Sequence, residues 1–164
     1  MAKRSSLDEK VARLKELGKL AAAEPDEVKE IKTALKAKNH FLVANAAKTA
    51  EKLQLAELAE DLTAAFARFL DNPVKSDKSC LAKTAIIEAL YQLDYSQYDV
   101  YLTGSRHIQM EPSWGPPVDT AATMRGRCAQ ALVSIGYPDV DYELTRLLTD
   151  KVSTVRQAAI DALS

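Results

Sequence analysis

Along most of the chain, apolar residues recur at steps of three and four, the period of a helix with one buried face. Leu7, Val11, Leu14 and Leu17 form such a stripe, running to about Ala23. The Ser6-Leu-Asp-Glu9 spacing before it is that of a capping box, which predicts a helix start there. Pro25 suits a first helical position, with Asp26 and Glu27 at the positive end of the helix dipole, and Val28, Ile31 and Leu35 supply a second buried edge. Asn39 interrupts the pattern, and residues 41–53 resume it with many alanines. Residues 55–70 carry Leu55, Leu58, Leu62, Phe66, Phe69 and Leu70 on one side and stop at Asn72-Pro73. Further helices are predicted over 77–93, 119–135, 140–148 and 153–163. No alternating apolar and polar run of strand length appears, so the expected class is all-α.

Four of these helices share a finer pattern. Ala159, Ala162 and Leu163 follow Arg156 by three, six and seven positions; Cys128, Ala131 and Leu132 follow Arg125 in the same way, as do Ile86, Ala89 and Leu90 after Lys83. A looser copy has Ala47 and Ala50 after Ala44, and the anchors lie 39, 42 and 31 residues apart. Such periods belong to stacked helix pairs. Small residues at these steps let helix backbones approach closely, while each pair presents two apolar faces that only stacking covers.

These segments resemble the second helices of HEAT-like, armadillo-type repeats: "DKVSTVRQAAIDAL" most clearly, then "VDTAATMRGRCAQAL" and "SDKSCLAKTAIIEAL", each with an acid (Asp150, Asp119, Asp77) six residues ahead of its base. The first copy departs from the pattern, with Asn39 for the acid and Ala44 for the base. The resemblance covers roughly residues 25–164. It implies a right-handed α-solenoid of about four stacked helix pairs in one domain over 1–164, and a scaffold or binding role. It also implies that acid and base tie adjacent turns together.

The segment "LTGSRHIQMEPSWGPPVDTAA" breaks the rhythm. A third pair needs its first helix near 97–112, yet Gly104 and Pro112 bracket only a short turn, and Gly115-Pro116-Pro117 bars continuation. The expectation is an irregular insertion over about 102–118, replacing or shortening that helix. Two readings follow. In one, Trp114 and Ile108 fold back to plug the groove of the missing helix. In the other, Arg106, His107, Gln109, Glu111 and Trp114, with Asp119 and Arg125 just beyond, form a recognition surface, since Trp and Arg are favoured interface anchors. Tyr91, Tyr95, Tyr98 and Tyr101, at spacings of four, three and three, are expected along one helical face leading into this segment.

Charge narrows the partners. The net charge of −1 conceals 12 basic against 8 acidic side chains in residues 1–53, 4 against 8 in 54–100 and 6 against 7 in 101–164. The early lysines spread around their helices as a solvated face would, so nucleic acid is not the expected partner. Cys80 and Cys128 sit in no ligand spacing and read as small buried hydrophobes. No run is long and apolar enough for a membrane helix, and no secretory signal precedes the first helix, so a cytoplasmic location is expected.

No phosphate loop, metalloprotease motif or nucleophile elbow is present. His107 and Glu111 on one turn of helix would supply two metal ligands, too few to specify a site. The expected function is therefore a non-catalytic scaffold that needs no cofactor and binds a protein partner through the concave face of the second helices and the 102–118 loop. The alternative is an enzyme or ligand-binding protein acting on a nucleic-acid base or a tetrapyrrole, drawing on Glu111, Trp114, Asp119 and Arg125. The apolar face of the last helix, with Leu163, further suggests added repeats or self-association at that end.

Overall fold

In the computed structural model, residues 2–164 are described, with side chains from residue 6 onward. Contacts gather into two compact units, the first extending to Tyr95 and the second spanning Ser96–Ser164.

The first unit holds α1 (Ala2–Leu17), α2 (Pro25–Leu35), α3 (His40–Lys52), α4 (Ala59–Leu70), the single turn α5 (Pro73–Ser76) and α6 (Leu81–Gln92). The first helix starts ahead of Ser6, so the expected capping box lies inside it rather than at its end. A capping box does occur one helix later: the Glu24 side chain accepts from a backbone amide of the first turn of α2, and Glu27 reaches back to the Glu24 amide at 2.9 Å. Asn39, the residue that interrupts the apolar pattern, caps α3 by accepting from the Leu42 amide at 3.0 Å.

Helix α3 packs on α1, α2 and α6, and α4 packs on α6. The alanine-rich face of α3 makes this possible, since Ala46, Ala47 and Ala50 are fully buried and keep the backbones close. Ile31, Leu35, Leu62, Ile86 and Leu90 fill the space between, each adding about 1.5–3 kcal/mol by leaving water. Thr49 ties α3 to α1 by donating to the Leu14 carbonyl at 3.0 Å. Arg68 donates to the carbonyls of Leu35 and Ala37 at the C-terminal end of α2.

The helix predicted over 77–93 begins four residues late. Ser79 and Cys80 have positive φ, 61° and 51°, so no helix passes through them. Asp77 compensates from outside the helix, accepting from the Ala82 and Lys83 amides at 2.7 and 3.0 Å. Lys83 is fully buried, and its ammonium reaches Asp77 at 2.9 Å and the Phe69 carbonyl at 3.1 Å.

The second unit contains α7 (Tyr98–Arg106), the strands β1 (Met110–Glu111) and β2 (Val118–Asp119), then α8 (Ala122–Ser134), α9 (Val140–Leu148) and α10 (Ser153–Ala162). Helix α8 packs on α7, α9 and α10. Ala129, Leu144, Leu147, Val155 and Ala159 form the core between α8, α9 and α10. The need for small residues is sharp at Gly126: a Cβ there would stand 2.8 Å from that of Ala158, inside the contact limit.

One expectation is met in part and two fail. The first helix ahead of α8 is shortened rather than replaced: Val100 and Tyr101 bury one face of α7, which runs on to Arg106, so the irregular segment starts later than residue 102. That segment contains a small antiparallel ladder where no strand was expected, and Asp119 belongs to it rather than to the following helix. The tyrosines share no helical face, since α6 ends at Gln92 and Asp94 turns the chain at φ 54°. Tyr101 is buried, while Tyr98 lies against Tyr137 with ring centroids 5.0 Å apart.

Candidate functional site

The segment between α7 and α8 is a hairpin that is buried at its base and bare at its tip. Chain direction changes at His107, whose extended backbone ends the helix. In β1 and β2, Met110 stands opposite Asp119 and Glu111 opposite Val118, and the Thr120 amide extends the ladder by donating to the Gln109 carbonyl at 2.9 Å. The hydroxyl of Ser113 closes the tip, accepting from the Gly115 amide at 3.1 Å and donating to the Pro116 carbonyl at 2.7 Å. Proline at 112, 116 and 117 restricts the same stretch.

Polar groups are drawn inward at the base. Gln109 and Glu111 are almost completely buried, and the Glu111 carboxylate accepts from Gln109 Nε2 at 2.7 Å and from Thr120 Oγ1 at 2.9 Å. Asp119 Oδ1 accepts from the amides of Gln109 and Ala121. Beneath them lies Arg125, buried although it is one of the largest side chains in the chain. Its guanidinium contacts Asp119 at 2.7 Å, grips both oxygens of Asp150 at 2.9 and 3.0 Å, and donates to the His107 carbonyl at 3.0 Å. A planar fork with five donors can serve three acceptors in different directions, which an ammonium cannot do while keeping a two-point grip on one carboxylate. Burial pushes the Asp119 carboxyl up, but hydrogen bonds from Arg125 and from the Gln109 and Ala121 amides outweigh it and hold the group below its ordinary 3.8.

Asp150 links this base to α10, because its carboxylate also accepts from the Val152 amide at 2.8 Å. Arg156 in turn donates to the carbonyls of Asp150 and Lys151. Each is therefore a structural tie between turns.

A second buried carboxylate supports the end of α7. Glu143 lies on α9, almost completely buried, and receives Arg106, Arg146 and the Ser105 hydroxyl. Arg146 also donates to the Ser105 carbonyl at 2.8 Å. Burial raises the Glu143 carboxyl, and the two arginines more than reverse that, leaving it below its ordinary value. Sequence reasoning missed Glu143, Arg146 and Ser105. The signal was available: Glu143 falls within the apolar stripe of Val140, Leu144 and Leu147, where an acid needs a buried partner.

The seven residues singled out from sequence thus separate. Gln109, Glu111, Asp119 and Arg125 meet in the base, where they bind one another and backbone groups. His107 lies at its edge, 3.3 Å from Gln109 Oε1, and off any helix, so it shares no helical face with Glu111. Among the described residues no three potential metal ligands cluster. Arg106 is half exposed and engaged by Glu143. Trp114 alone is fully exposed, at 109% of its reference area, and Ile108 is 62% exposed, so neither plugs a groove. An open depression of about 430 Å³ beside the hairpin base is lined by Asp99, Leu102, Thr103, Arg106 and His107. Compared with known proteins, the chain matches no family model, no curated protein and no solved structure.

Proposed function

We propose that this chain is a non-catalytic, HEAT-like helical-repeat scaffold that binds a partner protein, with the hairpin between α7 and α8 as its principal contact and the second helices as its frame. The observation that carries this reading is a fully exposed Trp114 on a tip whose base is buried and hydrogen-bonded. A large apolar ring held in water by a pre-folded turn loses little conformational freedom on docking, and so contributes most of its burial energy to association. Glu111, Asp119 and Arg125, on which an enzymatic alternative would draw, are already committed to internal partners, and this favours binding over chemistry. The recurring Asp-to-base clamp at six residues, Asp77 with Lys83 and Asp119 with Arg125, supports the repeat reading.

Affinity capture with the parent chain, Trp114→Ala and Arg106→Ala tests the proposal. The expected result is a protein retained by the parent and by Arg106→Ala but lost with Trp114→Ala. Identical sets of captured proteins for all three would remove the hairpin from the mechanism.

A further inference from the structure

We propose that the depression between the ends of α2 and α4 binds a small zwitterion, an α-amino acid with an apolar side chain, its carboxylate held by Lys38 and Arg68 and its ammonium by Asp71 and Asn72. The depression has a volume of about 490 Å³ and lies wholly within the first unit, so the inference goes beyond the hairpin and does not depend on it. That volume falls in the range of small-molecule sites, roughly 300–1,000 Å³. Two chain reversals build its walls. On one side α2 ends at Leu35, and Ala37 and Lys38 line the wall. On the other, Asp71 leaves α4 with extended backbone and Asn72 bends the chain at φ 48°. The single turn α5 then brings back Ser76, whose hydroxyl donates to the Asp71 carbonyl at 2.9 Å. Buried Phe69 supplies an apolar floor.

The charges select the occupant. Arg68 does not pair with Asp71, three residues on. Its Nη2 donates instead to the Leu35 and Ala37 carbonyls at 2.7 and 3.2 Å, and its guanidinium lies 5.8 Å from the Phe69 ring centre. An arginine pinned in this way keeps its place before a ligand arrives, with Nε and Nη1 left to donate. Among the described residues, those two nitrogens, the Lys38 ammonium, the Asp71 carboxylate and the Asn72 amide carry no hydrogen bond or ion pair. Cations and an anion thus line one depression without neutralising each other, which leaves donors for a carboxylate and acceptors for an ammonium. Two other depressions lack this pairing. Near the first, Lys10 is uncommitted but Glu30 is held by Arg13; in the second, Asp99 is uncommitted but Arg106 is held by Glu143. A purely anionic ligand would meet repulsion from Asp71, and a purely apolar one would leave charges of both signs unmatched. Ala37, the Phe69 ring and the methylene stems of Lys38 and Arg68 remain for the ligand's apolar side chain.

Amide NMR spectra of the full chain, titrated with L-phenylalanine, test this. Saturable shifts are expected at residues 37–38 and 68–76, with a Kd of about 1 mM or tighter. Phenylpropionate lacks the ammonium and phenylalaninamide lacks the carboxylate, so each should bind about tenfold more weakly. Asp71→Asn should weaken phenylalanine about tenfold and leave phenylpropionate unchanged. Lys38→Met should weaken phenylalanine and phenylpropionate and spare phenylalaninamide. Both positions are exposed, so circular dichroism should show the helices intact in each variant. The absence of saturable shifts overturns the proposal. Phenylpropionate binding as tightly as phenylalanine, with Asp71→Asn silent, makes the depression a plain anion site and overturns the zwitterion. Equal binding of all three ligands, indifferent to both variants, leaves only an apolar surface and overturns it as well. Trp114→Ala should leave the titration unchanged, so failure here leaves the hairpin reading to its own capture experiment.

Discussion

Lys83 and Arg125 occupy the same place in the repeat pattern, six residues after an aspartate, yet they accomplish different things. Lys83 makes a smaller junction: one ammonium joins the Asp77 carboxylate just ahead of α6 to the Phe69 carbonyl near the end of α4. Arg125 reaches outward, joining Asp119 of the hairpin, the His107 backbone and Asp150 at the start of α10. Both are buried cations held by carboxylates. The difference lies in the head group: a point charge neutralises a site, whereas a fork organises several segments around it. The hairpin lies directly ahead of Arg125, whose fork ties it down at Asp119 and at the His107 carbonyl.

The largest effect should come from Arg125→Ala, which takes the cation from two largely buried carboxylates, Asp119 and Asp150, and releases the hairpin. A loss of about 3–5 kcal/mol in denaturant unfolding is expected, with amide exchange accelerating across residues 109–121. Lys83→Met strands one carboxylate that still accepts two amides, so about 3 kcal/mol should be lost, and the hairpin amides should keep their protection. If exchange at the hairpin rises equally in both variants, the two clamps are not local in the way described. Arg125→Lys sharpens the contrast. It preserves the charge but forfeits the fork, and about 2 kcal/mol of destabilisation together with selective fraying at His107 and Gln109 would show geometry, rather than charge, to be the requirement.

The smallest effect is a pH dependence. Asp119 and Glu143 both lie below their ordinary values of 3.8 and 4.5, so the stability they contribute is fully present above those values and is lost as pH falls through the lower folded ones. Acid titration should therefore loosen the hairpin and the end of α7 below about pH 4, and Asp119→Asn should flatten the part of that slope reported by hairpin amides.

The helices were legible from apolar spacing, and α9 and α10 fall where the stripes placed them. Errors fell where a side chain acts across sequence. Asp77 caps α6 from four residues ahead of it, so the helix begins later than the periodicity suggests. Two-residue strands show no alternation to detect, and the ladder exists because Arg125, Asp119 and the Gln109 amide converge, a long-range event that no local window displays. Trp114 stood out by composition, but burial or exposure of one ring depends on whether a groove exists to receive it. The close approach at Gly126 was readable in kind, as a small residue within a spaced set, though its partner Ala158 was not.

The paired left-handed residues ahead of α6 have a practical corollary. Ser79 and Cys80 occupy backbone conformations that β-carbons resist, at φ 61° and 51°. Neighbouring glycines would relax that local tension while enlarging the freedom of the unfolded chain, so the two influences oppose each other. Directed evolution for heat tolerance should accordingly find asparagine, which accepts this geometry at lower cost, an attractive replacement at position 79. Position 80 is closed to it, because the thiol there is sealed from solvent and a bulkier amide would have nowhere to go.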